Sequence, residues 1–293
     1  MLPIESTGSP ERYDKRRLSY ATTFDSRWKA SVIRSMEWMT GKVTLLRHIR
    51  EFERRGPPVG QEFWPRALNQ MGIELRTPPG QIARIPKQGP LVIVANHPHG
   101  LVDGIVLGAL IGQARQDYRI LTRSLLTGVR EVQQFLMPVP FPHEDDALQL
   151  NLEMRRKCMR HLQSGGSVAL FPSGSVSASQ TMFGPAVEAS WNPFTAKMIL
   201  RSGATVLPIR FSGQNSRWYQ MANRVSPTLR QGLLLHEVVH ALNKPISPII
   251  GDPIYPDQLR KWASDQRGFM GWLRAHTLAL TDDQRVGTGW SPE

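Results

Sequence analysis

His97 and Asp103 are the pair of residues best suited to move a proton, in the stretch Val94-Ala95-Asn96-His97-Pro98-His99-Gly100-Leu101-Val102-Asp103-Gly104. A neutral imidazole can take a proton from a hydroxyl near neutral pH. A carboxylate on its other ring nitrogen fixes the tautomer and stabilises the imidazolium that forms. Residues six apart do not share a helix face, so the turn at Pro98 and Gly100 must fold the two together. A purely structural role is compatible with this one: Asp103 as the N-cap of a helix over 104–112, with His97 as a polar strand end.

Two further constellations can carry chemistry. Phe171-Pro172-Ser173-Gly174-Ser175-Val176-Ser177 follows an apolar run. Its Pro and Gly would expose backbone N–H groups, and its three hydroxyls are neutral donors, so such a loop can hold a phosphate, a carboxylate or an oxyanion. As a plain strand-exit turn it would need the same residues. His236-Glu237-Val238-Val239-His240 matches the zinc signature of two histidines one helical turn apart with a glutamate base. No third ligand follows it, and Pro245 stops the helix.

The elements that must position these groups alternate. Short apolar runs predict strands at 91–95, 118–122, 136–141, 167–171 and 204–211, with helices at 104–114, 124–135, 147–164 and 193–202 between them. The 147–164 helix carries Leu148, Leu152, Met159 and Leu162 on one side, Arg155, Arg156, Lys157 and Arg160 elsewhere, and Gly165-Gly166 at its end. Strand and helix at this spacing predict an α/β fold, a mainly parallel sheet flanked by helices. Before it, Trp28, Val32, Met36, Met39, Val43 and Leu46 recur at helical steps among basic residues. Residues 1–60 hold twelve Lys and Arg against seven Asp and Glu. A basic amphipathic segment of this kind suits a membrane surface, and ordinary helices docked on the core would read the same way. We therefore divide the chain into a basic helical segment, 1–60, and an α/β domain, 61–293.

Bulk composition narrows the class. The formal net charge of +12 favours polyanionic partners such as anionic lipid or a phosphate-bearing substrate. No zinc-finger or RNA-binding motif accompanies the charge, so nucleic acid is not expected. The one cysteine, Cys158, excludes an internal disulfide and suits a reducing compartment. No run is long enough to span a membrane, and the first residues lack the order of a secretory signal. A cytoplasmic chain, peripheral on the inner face of the cell membrane, is the expectation.

Asn96-His97 with Asp103 at one strand end, Phe171-Pro172-Ser173-Gly174 about 75 residues later and Val206-Leu207-Pro208-Ile209 about 35 further on resemble the glycerolipid, or lysophospholipid, acyltransferase family across roughly residues 88–254. The resemblance implies direct transfer of a fatty acyl group from acyl-CoA or acyl carrier protein to a lyso-lipid hydroxyl. His97 would be the general base and Asp103 its support; Asn96, Phe171, Pro172, Ser173, Gly174 and Ser175 would line the substrate, with backbone N–H groups near Gly174 holding the oxyanion. Arg123 and Arg210 would meet a headgroup. No bound cofactor or metal is implied, and Cys158 is a bystander.

Two departures refine this resemblance. Five residues separate His97 from Asp103, where the family usually has four; counting from His99 leaves three, so His97 is the better match. Ser173 stands where the family usually has Glu, which counts against lysophosphatidic acid as acceptor. The wording of the first motif looks like the branch that O-acylates bacterial lyso-aminolipids of the ornithine-lipid type. Alternatives are a lysophosphatidic acid acyltransferase, a zinc metalloprotease through His236, Glu237 and His240, and a non-enzymatic basic lipid- or RNA-binding module.

Overall fold

The computed structural model describes Ser19 and residues 26–122, 125–140, 146–182 and 184–281. Five strands run parallel: β1 (Leu91–Ala95), β2 (Tyr118–Thr122), β3 (Leu136–Pro138), β4 (Ser167–Leu170) and, after a small antiparallel hairpin of β5 (Ala178–Ser179) and β6 (Ala186–Val187), β7 (Thr205–Arg210). A short antiparallel β8 (Ile249–Ile250) completes a sheet of order β3-β2-β4-β1-β7-β8. β1 lies between β4 and β7, with Val94 level with Leu170 on one side and Pro208 on the other. Its five residues are all buried, as expected of a strand covered on both faces.

The helices are α1 (Arg27–Glu37), α2 (Val43–Arg54), α3 (Phe63–Gln70), α4 (Pro79–Ile82), α5 (Leu101–Ile111), α6 (Ala147–Gln163), α7 (Pro193–Ser202), α8 (Arg217–Val225), α9 (Pro227–Gly232), α10 (Leu234–Ala241), α11 (Pro256–Leu259) and α12 (Gln266–Leu278). Side chains of β1 alternate between two cores. Leu91, Ile93 and Ala95 join Trp64 of α3, Leu107 of α5 and Leu235 of α10. Val92 and Val94 join Cys158 of α6, Met198 of α7 and Phe269 of α12. α5 is buried from Val102 to Ile111. Gly108 lets it approach α3, since a Cβ there would stand 2.6 Å from the Trp64 ring.

The parallel strands fall where the apolar runs predicted them, although β3 ends at Pro138 and the expected residue 141 lies outside the described residues. The expected helix over 124–135 is instead two 3-10 segments, Leu125–Gly128 and Arg130–Phe135. Nothing in the apolar pattern pointed to α8 and α9.

The N-terminal helices depart from the expected stripe. A π-helical turn, Trp38–Lys42, joins α1 to α2, and an inserted residue of that kind rotates everything after it around the helix axis. Before the turn α1 already buries Ala30, Ile33 and Glu37 instead of the Trp28 side, and past it the buried side is Lys42, Leu45 and Leu46. Glu37 and Lys42 pair across the turn at 3.5 Å. Trp28 (76% exposed), Trp38, Met39 (86% exposed) and Val43 face outward. α1 packs on α9, and the π turn packs on α10. Among the described residues no helix is long and apolar enough to cross a membrane.

Candidate functional site

The carboxyl ends of β1 and β4 meet at one edge of the sheet, where the open crevice of a parallel α/β sheet collects ligands. β1 delivers Asn96 and His97, and the chain then turns through Gly100, whose φ of 72° and ψ of −125° suit only glycine. That turn lets α5 begin at Leu101, three residues before its expected start. Asp103 is therefore the third residue of the helix and not its N-cap, a correction of the sequence reading. From there its carboxylate reaches back over the turn.

The Asp103 side chain is fully buried and accepts four hydrogen bonds. Oδ2 takes the backbone N–H of His99 at 2.8 Å, that of Gly100 at 3.1 Å and His97 Nδ1 at 3.0 Å. Oδ1 takes His99 Nδ1 at 3.0 Å. Burial alone would raise its pKa, but the hydrogen bonds and charges of the two imidazoles prevail and hold it below the ordinary carboxylate value. It is therefore ionised at neutral pH and can only accept, so both histidines carry their proton on Nδ1 when neutral. Both Nε2 atoms are then free to act as bases. For His99, burial pushes the imidazole down and Asp103 pushes it up, with a net rise above 6.5.

The two rings have different surroundings. His97 stacks on Phe171, with centroids 3.9 Å apart at 18°. His99 lies against Gly213, where a Cβ would come within 2.9 Å of Nε2. His97 thus faces the loop after β4, and His99 is wedged against the backbone after β7.

That loop is tied to β1 through several contacts. Ser177 donates its N–H to the His97 carbonyl at 2.8 Å and its hydroxyl to Glu188 at 2.5 Å. Glu188, 5% exposed, also accepts the His97 N–H at 3.2 Å and the Trp191 indole at 3.1 Å. Within the loop, Gly174 sits at φ 65° and donates to the Phe171 carbonyl at 2.9 Å, while the Ser173 hydroxyl donates to the Ser175 carbonyl. Pro172 is buried and Ser175 half-buried.

Other residues expected at the site are engaged elsewhere. Asn96 is 6% exposed, and both ends of its amide clamp the backbone of Phe211, at 2.8 Å and 2.7 Å, which locks the end of β1 to the end of β7. It acts as a strut between the two strand ends. Arg210 donates to the Leu280 carbonyl at 2.5 Å, which anchors the chain just past α12. Arg123 lies outside the described residues. Cys158 is buried beside Met137 and Met154, and burial pushes its thiol up to about 12.

The zinc reading does not hold. His236 Nδ1 lies 2.9 Å from the Thr40 carbonyl, and Glu237 accepts the N–H and hydroxyl of Ser216 at 2.7 and 2.6 Å, which anchors the start of α8. His240 has the Lys244 ammonium at 3.1 Å, a poor neighbour for a cation. Among the described residues no group of three His, Cys, Asp or Glu side chains gathers to hold a metal. The motif fastens α10 to the π turn and to α8.

Sequence reasoning set His99 aside in favour of His97, took Ser177 only as one hydroxyl of the loop, and passed over Glu188. For His99 the signal was present, a histidine on the helical i,i+4 spacing to Asp103. For Glu188 there was none, because it is 91 residues from the backbone group it holds.

Residues 80–212 match the acyltransferase family. The chain is 28% identical over 144 residues to the lyso-glycine lipid O-acyltransferase of Bacteroides thetaiotaomicron, covering 48% of this chain and 50% of that protein. It is 24% identical over 180 residues to the lyso-glycine lipid O-acyltransferase of Phocaeicola vulgatus, covering 59% and 62%. The aligned region thus spans between half and about three-fifths of the length of these curated relatives. The crystal structure of the 1-acyl-sn-glycerophosphate acyltransferase of Thermotoga maritima aligns over 90% of this chain and 84% of that one, at 14% identity and a TM-score of 0.48.

Proposed function

We propose, from the match of residues 80–212 to the acyltransferase family and from the two relatives, that the chain moves a fatty acyl group from a thioester donor, acyl-CoA or acyl carrier protein, to the hydroxyl of a bacterial lyso-aminolipid. The observation that carries this reading is the buried Asp103 carboxylate on His97 Nδ1, beside the loop after β4. His97 Nε2 takes the hydroxyl proton as the lipid oxygen attacks the thioester carbon. The C–O bond forms, the C–S bond then breaks, and the imidazolium returns its proton to the leaving thiolate. Asp103 stabilises the imidazolium between those events. The Gly174 N–H is engaged within its turn, so an oxyanion would be held by neighbouring N–H groups of the loop, such as those of Ser173 and Ser175.

Two lines support a lyso-aminolipid as acceptor. Both curated relatives are lyso-glycine lipid O-acyltransferases, which favours a glycine-type over an ornithine-type acceptor. Ser173 puts a neutral group where a Glu is usual. The outward Trp28, Trp38, Met39 and Val43, with Trp218 and Val225 on the nearby α8, support residues 1–60 as the membrane-associating segment, resting on anionic lipid at the inner face of the membrane.

The test is turnover by the purified protein with a long-chain acyl thioester and either lyso-glycine lipid or lysophosphatidic acid, read by mass spectrometry. Acylation of the lyso-glycine lipid, abolished by His97→Ala, is expected. Acylation of lysophosphatidic acid alone would overturn the aminolipid reading, and acylation of neither would overturn the acyl-transfer reading.

A further inference from the structure

A groove of about 860 Å³ lies between α6 and α7, on the opposite side of the sheet from α5. Arg155, Arg156, Lys157 and Arg160 of α6 line it together with Lys197 and Arg201 of α7, and Glu153 is the single carboxylate among its lining residues. All six cations are exposed. Among the described residues none of them lies within ion-pair distance of a carboxylate. Cations crowded without counter-charge in a concave site repel one another and focus a positive potential into it. The ligand that relieves this is polyanionic, and guanidinium forks match the paired oxygens of phosphate.

The rest of the lining is apolar, with Phe194 and Met198 from α7. Arg155 lies over the Phe194 ring at 4.6 Å, so a planar charge stacked on an aromatic face forms part of the wall. Such a wall suits a flat heterocycle. The volume falls in the range of small-molecule sites, roughly 300–1,000 Å³. A folded partner needs a broader, flatter contact, on the order of 800 Å² on each side. Concavity, charge and stacking surface together describe a nucleotide with several phosphates.

Hydrogen bonds tie one end of the groove to the loop after β4. Asn192 caps α7 through the Phe194 N–H at 2.8 Å, and its own N–H donates to the Pro172 carbonyl at 2.9 Å. The Phe194 end of the groove is thus fastened to the turn that carries Phe171, the ring stacked on His97. A coenzyme-A thioester has this shape: a phosphorylated adenine nucleotide at one end and a thioester at the other, joined by a long flexible arm.

We propose that the α6–α7 groove binds the phosphate-bearing nucleotide end of a coenzyme-A thioester, which makes coenzyme A rather than a carrier protein the acyl donor. This rests on the acyl-transfer reading for its purpose, but its binding test does not. Adenosine 3′,5′-bisphosphate is titrated by calorimetry into the wild type and into R156E/R160E/R201E, whose substituted side chains are all exposed; matching melting curves check that the variant is folded. Losing charge-assisted phosphate contacts is expected to weaken binding by about tenfold or more. In turnover, KM for the acyl-CoA is expected to rise by a similar factor, while kcat and KM for the lyso-lipid stay within about twofold.

Unchanged bisphosphate affinity in the variant would overturn the inference, and so would a wild type that turns over acyl carrier protein but not acyl-CoA. A variant that leaves anionic vesicles while keeping its KM for acyl-CoA would show the groove to be a membrane contact instead. Bisphosphate binding lost on charge reversal, with no lyso-lipid acylated by the wild type, would sink the acyl-transfer reading and leave the nucleotide site standing. Acyl-CoA turnover whose KM ignores the reversal would do the opposite.

Discussion

At the end of β1 two imidazoles converge on one buried carboxylate, and on α10 two imidazoles turn to different partners. His97 and His99 both donate to Asp103 and leave their Nε2 atoms free. His236 meets a backbone carbonyl, His240 lies beside a lysine, and the glutamate between them holds the start of α8. Both motifs contain residues able to do acid–base or metal chemistry. The difference lies in where the fold puts them. A strand end opens onto a crevice, whereas α10 is pressed against the π turn, with Gly41 allowing an approach at which a Cβ would stand 3.0 Å from Val239. Side-chain chemistry becomes function only where an atom is left without a structural task.

Five experiments test that contrast, in descending order of expected effect. Asp103→Asn presents an amide where an anion accepts four hydrogen bonds, so it disturbs tautomer and turn together. Turnover is expected to fall by about 10³–10⁴, as when a triad carboxylate is neutralised, and a variant within tenfold of wild type would show the carboxylate to be a capping group only. His97→Ala is expected to lower kcat by about 10²–10⁴. His236→Ala should leave kcat within about twofold, and a loss comparable to that of His97→Ala would erase the distinction between the motifs.

Glu237→Gln weakens two hydrogen bonds to Ser216 and should appear in stability rather than rate. About 1–2 kcal/mol is expected from chemical denaturation, with kcat unchanged. The smallest effect concerns pH. His99 is held above its ordinary 6.5 and Asp103 below its ordinary 3.8. Their stabilisation is therefore complete between those values, lost as pH falls through the folded pKa of Asp103, and lost as pH rises through that of His99. His99→Asn removes the titrating group and keeps a donor near Nδ1. The excess in melting temperature of wild type over variant should shrink as pH rises from about 6 to about 9; an excess independent of pH would show that His99 contributes through packing alone.

Much of the sheet was legible because its strands are buried on both faces. Leu91 to Val94 and Ser167 to Phe171 are short runs bounded by glycine or proline, and such runs have few other places to go. The helices over 147–163 and 193–202 were legible as elements, although α6 turns Leu148 and Leu152 outward and buries Met154, Cys158 and Leu162. The N-terminal stripe misled because α1 buries its Ala30, Ile33 and Glu37 side and leaves Trp28 outward, and one π turn then shifts the phase of every residue after it. The clamp of Asn96 on Phe211 was not legible for another reason: its partner lies 115 residues away.

The amino-acid order fixed which reactive groups exist, that a strand would carry His97 to a Pro/Gly turn, and that a second turn would follow β4. It could not fix which nitrogen points where. Asp103 as a shared acceptor, Glu188 beneath His97, the commitment of His236 and Glu237 to structure, and the meeting of α6 with α7 across a cationic groove all arise from contacts between distant segments. Their geometry is set when the two cores pack on opposite faces of β1, because only close packing selects one arrangement from the many that local preference allows.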